Sequence, residues 1–163
     1  MTCIRSWIGC LLFLIVGNVS MSQNIQVIKY PDLENMLKSQ NDTVLIVNFW
    51  ATWCAPCVKE LPYFEKLQIK YANEKVKVIL VSLDYSSVLE KKVKPFIAKT
   101  GIKSASVFLL NETDPNAWMG KVDTDWSGAL PFTLIIKGEK QRKSYERAFT
   151  LPEMEAELKL FIQ

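Results

Sequence analysis

Histidine is missing altogether from the 163 residues, and its absence bears directly on how the cysteines are read. A zinc site built on Cys54 and Cys57 would need two further Cys or His ligands. The remaining cysteines, Cys3 and Cys10, lie in a leader-like segment expected to be removed. Metal binding is therefore not expected here. Charge of one sign is also scarce: 20 Lys and Arg against 17 Asp and Glu leave +3, too balanced for a nucleic-acid partner. Lys91, Lys92 and Lys94 fall in a helical pattern and read as a solvated face. Asp123 and Asp125 lack enough neighbouring oxygen ligands for calcium. Repeats and low-complexity linkers are absent, and the length suits one compact domain.

A long apolar run is missing too. The nearest candidate, residues 7–16, is too short for a comfortable membrane span. It follows Arg5 and precedes the small residues Ser20 and Ser22, so 1–22 reads as a secretory signal peptide and 23–163 as the domain. An uncleaved membrane anchor is the competing reading. Cys10 does not suit lipid attachment, since the apolar stretch follows it. The leader contains one charged residue, Arg5, so the mature net charge falls from +3 to +2. Only Cys54 and Cys57 would remain, with no structural disulfide to compete in an oxidising compartment.

What is present centres on Phe49-Trp50-Ala51-Thr52-Trp53-Cys54-Ala55-Pro56-Cys57. An apolar, β-branched run leads into the pair and an amphipathic pattern follows, which places the cysteines where a strand becomes a helix. At a helix start Cys54 faces unpaired N–H groups and the positive end of the dipole, which favour its thiolate. Cys54 is thus expected to attack a disulfide, and Cys57, one turn later, to resolve the mixed disulfide. A purely structural disulfide is unattractive, because so short a loop constrains the unfolded chain little. Glu60, three residues past Cys57, shares its helix face. A carboxylate there can exchange protons with the thiols, the alternative being a solvent-facing helix residue.

Along the chain, residues 25–28 read as a short strand and 32–39 as a helix with Leu33, Met36 and Leu37 on one face. Residues 43–49 and 76–83 read as strands buried on both sides. The helix between them, from Cys57 to about Tyr71, is interrupted by Pro62 and makes the connection a parallel one. A helix over 88–99, a strand over 106–110, a hairpin over 132–147 and a final helix capped by Thr150 and Glu153 complete the pattern. Trp50 reads as core and Trp53 as a contact residue, while Trp126 is either a partner-selecting surface or a buried loop anchor.

With Trp-Cys-Ala-Pro-Cys after the first central strand, Glu60-Leu61-Pro62 behind it and Ala129-Leu130-Pro131-Phe132-Thr133 before a hairpin, the chain resembles the thioredoxin superfamily. Within it, the chain looks like the exported TlpA-like and ResA-like thiol-disulfide oxidoreductases. The resemblance implies an α/β thioredoxin-like fold: a central mixed sheet flanked by helices, with a TlpA-type helix-strand insertion at about 86–110. It implies a cis Pro131 facing the cysteines and a Leu130 that offers backbone groups to an extended substrate, with Trp53, Ala55 and Pro56 lining the contact. It also implies proton handling by Glu60, a site in the periplasm or cell envelope, and no cofactor beyond the Cys54–Cys57 disulfide. Asn48 stands where thioredoxin commonly has a buried aspartate, and Ala55 where ResA-like reductants often carry an acid.

The expected activity is reduction of disulfides in exported proteins, apocytochrome c among the candidate clients, by a monomer that a membrane thiol-disulfide donor re-reduces. An oxidase or isomerase would use the same residues in the other direction. A non-redox binding or chaperone module would not need the cysteines. A thiol peroxidase is disfavoured because Ala51, not threonine, stands three positions before Cys54.

Overall fold

β2 (Val44–Trp50) is buried at every position and lies in the middle of a six-stranded sheet. The computed structural model describes residues 24–38 and 42–162, so the proposed leader lies outside the described residues. β3 (Val76–Ser82), β4 (Ser106–Leu110) and β1 (Gln26–Ile28) run parallel to β2 on one side. On the other side β5 (Phe132–Lys137) pairs antiparallel with β2, and β6 (Gln141–Tyr145) pairs antiparallel with β5. The sheet is therefore mixed, as expected. α2 (Ala55–Lys70) supplies the crossover that a parallel β2-β3 pair requires.

Side chains alternate across β2, and that period of two divides the core. Ile46 and Trp50 join Leu61, Phe64, Leu67, Val93, Ile97 and Leu158 on the face covered by α2, α3 (Lys94–Thr100) and α5 (Leu151–Ile162). Leu45, Val47 and Phe49 join Leu33, Trp118, Val122, Trp126 and Phe132 on the face covered by α1 (Tyr30–Lys38) and the short α4 (Met119–Val122). α1 starts before the expected residue 32, because Pro31 suits the first turn of a helix. α2 continues through Pro62. α5 carries the expected capping box, with the Thr150 N–H donating to Glu153 at 2.7 Å.

The helix expected over 88–99 is not one regular helix. A 3₁₀ turn (Ser86–Val88) leads into a π-helical stretch (Leu89–Val93), and α3 follows. Pro95 supplies the reason: it has no N–H to give and crowds the carbonyl four residues back, and a wider turn just before it relieves both. β4 then follows, so a helix and a strand occupy residues 86–110.

One buried group went unforeseen. Glu65, on α2, accepts the N–H groups of Lys103, Ser104 and Ala105 at 3.0, 2.8 and 3.0 Å, fixing the loop that enters β4. Glu65→Ala leaves these donors without their acceptor and is expected to cost about 3 kcal/mol in urea unfolding, at about 1 kcal/mol per lost bond. Glu65→Gln should recover part of it. A loss well below 1 kcal/mol would show that water replaces the carboxylate.

Candidate active site

The parallel strands β2 and β3 end side by side, with Trp50 opposite Ser82, and the chain past Trp50 builds the site. Cys54 is the N-cap of α2 in an extended conformation, and its Sγ accepts the Cys57 N–H at 3.4 Å. The cap places sulfur where a helix has unsatisfied donors and partial positive charge. Cys54 and Cys57 form a disulfide with Cα atoms 5.3 Å apart. Cys54 is 5% exposed and Cys57 is wholly buried. Their neighbours Trp53, Ala55 and Pro56 lie at the surface, Trp53 at 69% exposure. The Leu130–Pro131 peptide bond is cis, with Leu130 half-buried and Pro131 buried just ahead of β5.

Asp84, itself buried, secures the loop ahead of the cysteines. It accepts the Thr52 N–H at 2.9 Å, the Thr52 hydroxyl at 2.6 Å and the Ser82 hydroxyl at 2.9 Å. These bonds join the loops leaving β2 and β3, which holds the segment 51–54 against the sheet.

Glu60 is not solvent-facing: it is 1% exposed. One carboxylate oxygen accepts the Asn48 amide N–H at 2.8 Å, and the other accepts the backbone N–H of Phe149 at 2.7 Å. The same Asn48 nitrogen donates to Thr133 Oγ1 at 3.0 Å, while its buried Oδ1 has no hydrogen-bond partner among the described residues. Burial dominates the acid's behaviour and pushes its pKa up to about 7, against the opposing pull of the Phe149 and Asn48 bonds and the Arg147 charge. A carboxyl with that value exchanges its proton at neutral pH.

Asn48 thus has a role that its inability to take a proton concealed: it holds the acid on the neighbouring helix. Phe149 and Thr133 were missed because they lie 89 and 85 residues from their partners, and no local pattern marks such a contact. Trp126 is a buried anchor and not a partner-selecting surface. It is 6% exposed, stacks on Phe132 at 4.2 Å between centroids, and donates its indole N–H to the Ala129 carbonyl at 3.0 Å. Trp50 is wholly buried. Lys91 and Lys92 are exposed, as a solvated face requires, whereas Lys94 is half-buried and pairs with Glu90. Among the described residues, no cluster of three or more metal-ligating side chains occurs and no helix is long and apolar enough to cross a membrane.

Residues 29–121, more than half of the chain, match the Redoxin family. The thiol-disulfide oxidoreductase ResA of Bacillus thuringiensis (strain Al Hakam) is 37% identical over 67 residues, covering 41% of this chain and 37% of that protein. The ResA of Oceanobacillus iheyensis is 32% identical over 116 residues, covering 70% of this chain and 55% of that protein. The matches therefore span between about a third and about half of those relatives' length. Among solved structures, a thioredoxin-related protein from Neisseria meningitidis serogroup B aligns with a TM-score of 0.62 at 28% identity, over 77% of this chain and 89% of the other.

Proposed function

The chain belongs to the Redoxin family, and from that premise we propose that it is a thiol-disulfide oxidoreductase that reduces disulfides of exported proteins. The observation that carries this reading is the Cys54–Cys57 disulfide at the first turn of α2, with the Cys54 sulfur on a helix N–H. In the reduced protein the Cys54 thiolate attacks one sulfur of the client disulfide. A mixed disulfide forms and the other client sulfur leaves as a thiolate. Cys57 then attacks the Cys54 sulfur, the Cys54–Cys57 disulfide forms, and the second client sulfur departs. Two electrons pass to the client; one of its thiolates takes up the proton that Cys57 gives up, and the other takes one from water. Glu60 is the buried acid that supplies or stores a proton for Cys57, the thiol on its own helix face.

Trp53, Ala55 and Pro56 are the exposed side chains around Cys54 and, with Leu130 and Pro131, form the client contact in this reading. Cytochrome maturation is a candidate client pathway, with apocytochrome c as the substrate, supported by the likeness to ResA proteins. Activity in the cell envelope is supported by the basic-then-apolar composition of 1–22. Re-reduction then falls to a thiol-disulfide donor at the membrane, since the protein's own dithiol is its only store of electrons in this scheme.

The equilibrium reduction potential of the pair tests the direction. Titration of the purified domain in a thiol buffer, followed by tryptophan fluorescence, is expected to give a value near about −270 mV, the scale of thioredoxin. A value near about −120 mV, the scale of a strong oxidase, would overturn reduction as the physiological direction.

A further inference from the structure

The segment 146–150, between β6 and α5, has no regular secondary structure, so side-chain bonds set its position. Its first residue reaches the loop before the cis proline: the Glu146 carboxylate accepts the Ser127 N–H at 2.5 Å and the Ser127 hydroxyl at 2.9 Å. Three residues on, the Phe149 N–H donates to the buried Glu60 carboxylate at 2.7 Å. The Arg147 guanidinium lies 4.0 Å from the centre of the Phe149 ring, pairs with Glu153 at 3.1 Å and donates to the Ala148 carbonyl at 3.2 Å. Tyr145 meets the same Phe149 ring edge-on at 5.0 Å. Thr150 closes the far end on Glu153.

One short strap therefore holds the buried acid at one point and the loop ahead of Leu130 and Pro131 at another. We propose that this strap positions the Glu60 carboxylate, and that Glu146 is a positioning residue joining it to the client-facing proline loop. The proposal rests on the roles given above to Glu60, Leu130 and Pro131. Around Glu60, Asn48 faces it from β2, the Phe149 N–H and the Arg147 charge face it from the strap, and Cys57 shares its helix face. Among the described residues, the Glu146 carboxylate bonds to Ser127 and to none of these groups. Its effect must pass through the backbone that carries Phe149.

The sign of one titration separates this from a simple charge effect. Removing a nearby negative charge makes Glu60 easier to ionise and lowers its midpoint. Loosening the strap weakens the Phe149 bond to the ionised form and raises it. Following the Glu60 side-chain carboxyl by ¹³C NMR in the oxidised protein, Glu146→Ala is expected to move the midpoint upward by about half to one pH unit, a roughly three- to tenfold gain in proton affinity. Ser127→Ala, which removes one of the two Glu146 bonds without changing charge, should move it the same way by less. The pH profile of client reduction should shift in parallel.

An unchanged or lowered midpoint in Glu146→Ala, with melting near that of the wild type, overturns the proposal. A raised midpoint with an unshifted activity profile supports the strap as the positioning element and refutes the proton-handling role of Glu60 instead. Since the midpoint is read without turnover, an inactive wild-type protein would count against the proposed activity alone.

Discussion

Cys57→Ser is expected to hold the protein in a covalent complex with its client, while Cys54→Ser forms no such complex and reduces nothing above the uncatalysed background. The reason is the order of the two sulfurs along α2. Cys54 occupies the cap, where the helix end favours the thiolate, and its neighbours on both sides are exposed. A client sulfur can reach it, whereas Cys57 is wholly buried and meets only a sulfur already attached to Cys54. Removing Cys57 stops the reaction after its first half. The mixed disulfide then survives until an external thiol arrives.

Non-reducing electrophoresis and mass spectrometry of each variant, incubated reduced with a disulfide-containing protein, read this outcome directly. Trapping by Cys54→Ser instead would reverse the two roles. Retention of biological activity by a folded double-serine protein would favour the binding-module reading, and peroxide consumption by the reduced wild type would favour the peroxidase.

Between about pH 4 and pH 8, the stability of the wild type relative to Glu60→Gln should fall by about 3 kcal/mol. Glu60 ionises near 4.5 when unfolded and near 7 when folded, chiefly because burial penalises the charged form. The native state therefore binds more protons than the unfolded state across that window, and stability declines as pH rises through it. Below 4.5 both states hold the proton, and above 7 both have lost it, so the difference is flat on either side. Taking the difference from Glu60→Gln cancels the other carboxylates whose pKa values are lowered by their partners, such as exposed Glu153 and half-buried Glu157.

Glutamine suits the site because its oxygen can keep the Phe149 bond, and inversion of the Asn48 amide would turn the unpartnered Oδ1 toward the new N–H group. Urea unfolding of both proteins at several pH values measures the effect. A flat difference would place the Glu60 pKa near its ordinary value, and a difference of opposite slope would mean that its hydrogen bonds outweigh its burial.

Much of the molecule was legible along the chain. The two buried central strands, the helix between them and the final capped helix all follow from local periodicity and from residues three or four apart, which is the range over which a sequence pattern acts. The cysteine pair was legible for the same reason, since the strand before it and the helix after it determine where the sulfurs stand. Pro95 showed the limit of periodicity: its apolar neighbours Val93 and Ile97 do face the core, but the backbone reaches that arrangement through a π turn.

What only the tertiary structure decided is the environment of the acid. Glu60 carries the same residue type whether it faces water or the core, and spacing from Cys57 put either outcome within reach. Burial, set against the amide of Asn48 from β2 and the N–H of Phe149, made it a group that titrates near neutrality. Trp126 and Glu65 are parallel cases, an aromatic that became an anchor and a carboxylate that became a loop clamp. Desolvation and hydrogen bonding depend on everything that closes around a side chain, and those neighbours are brought together by folding from positions far apart in the sequence.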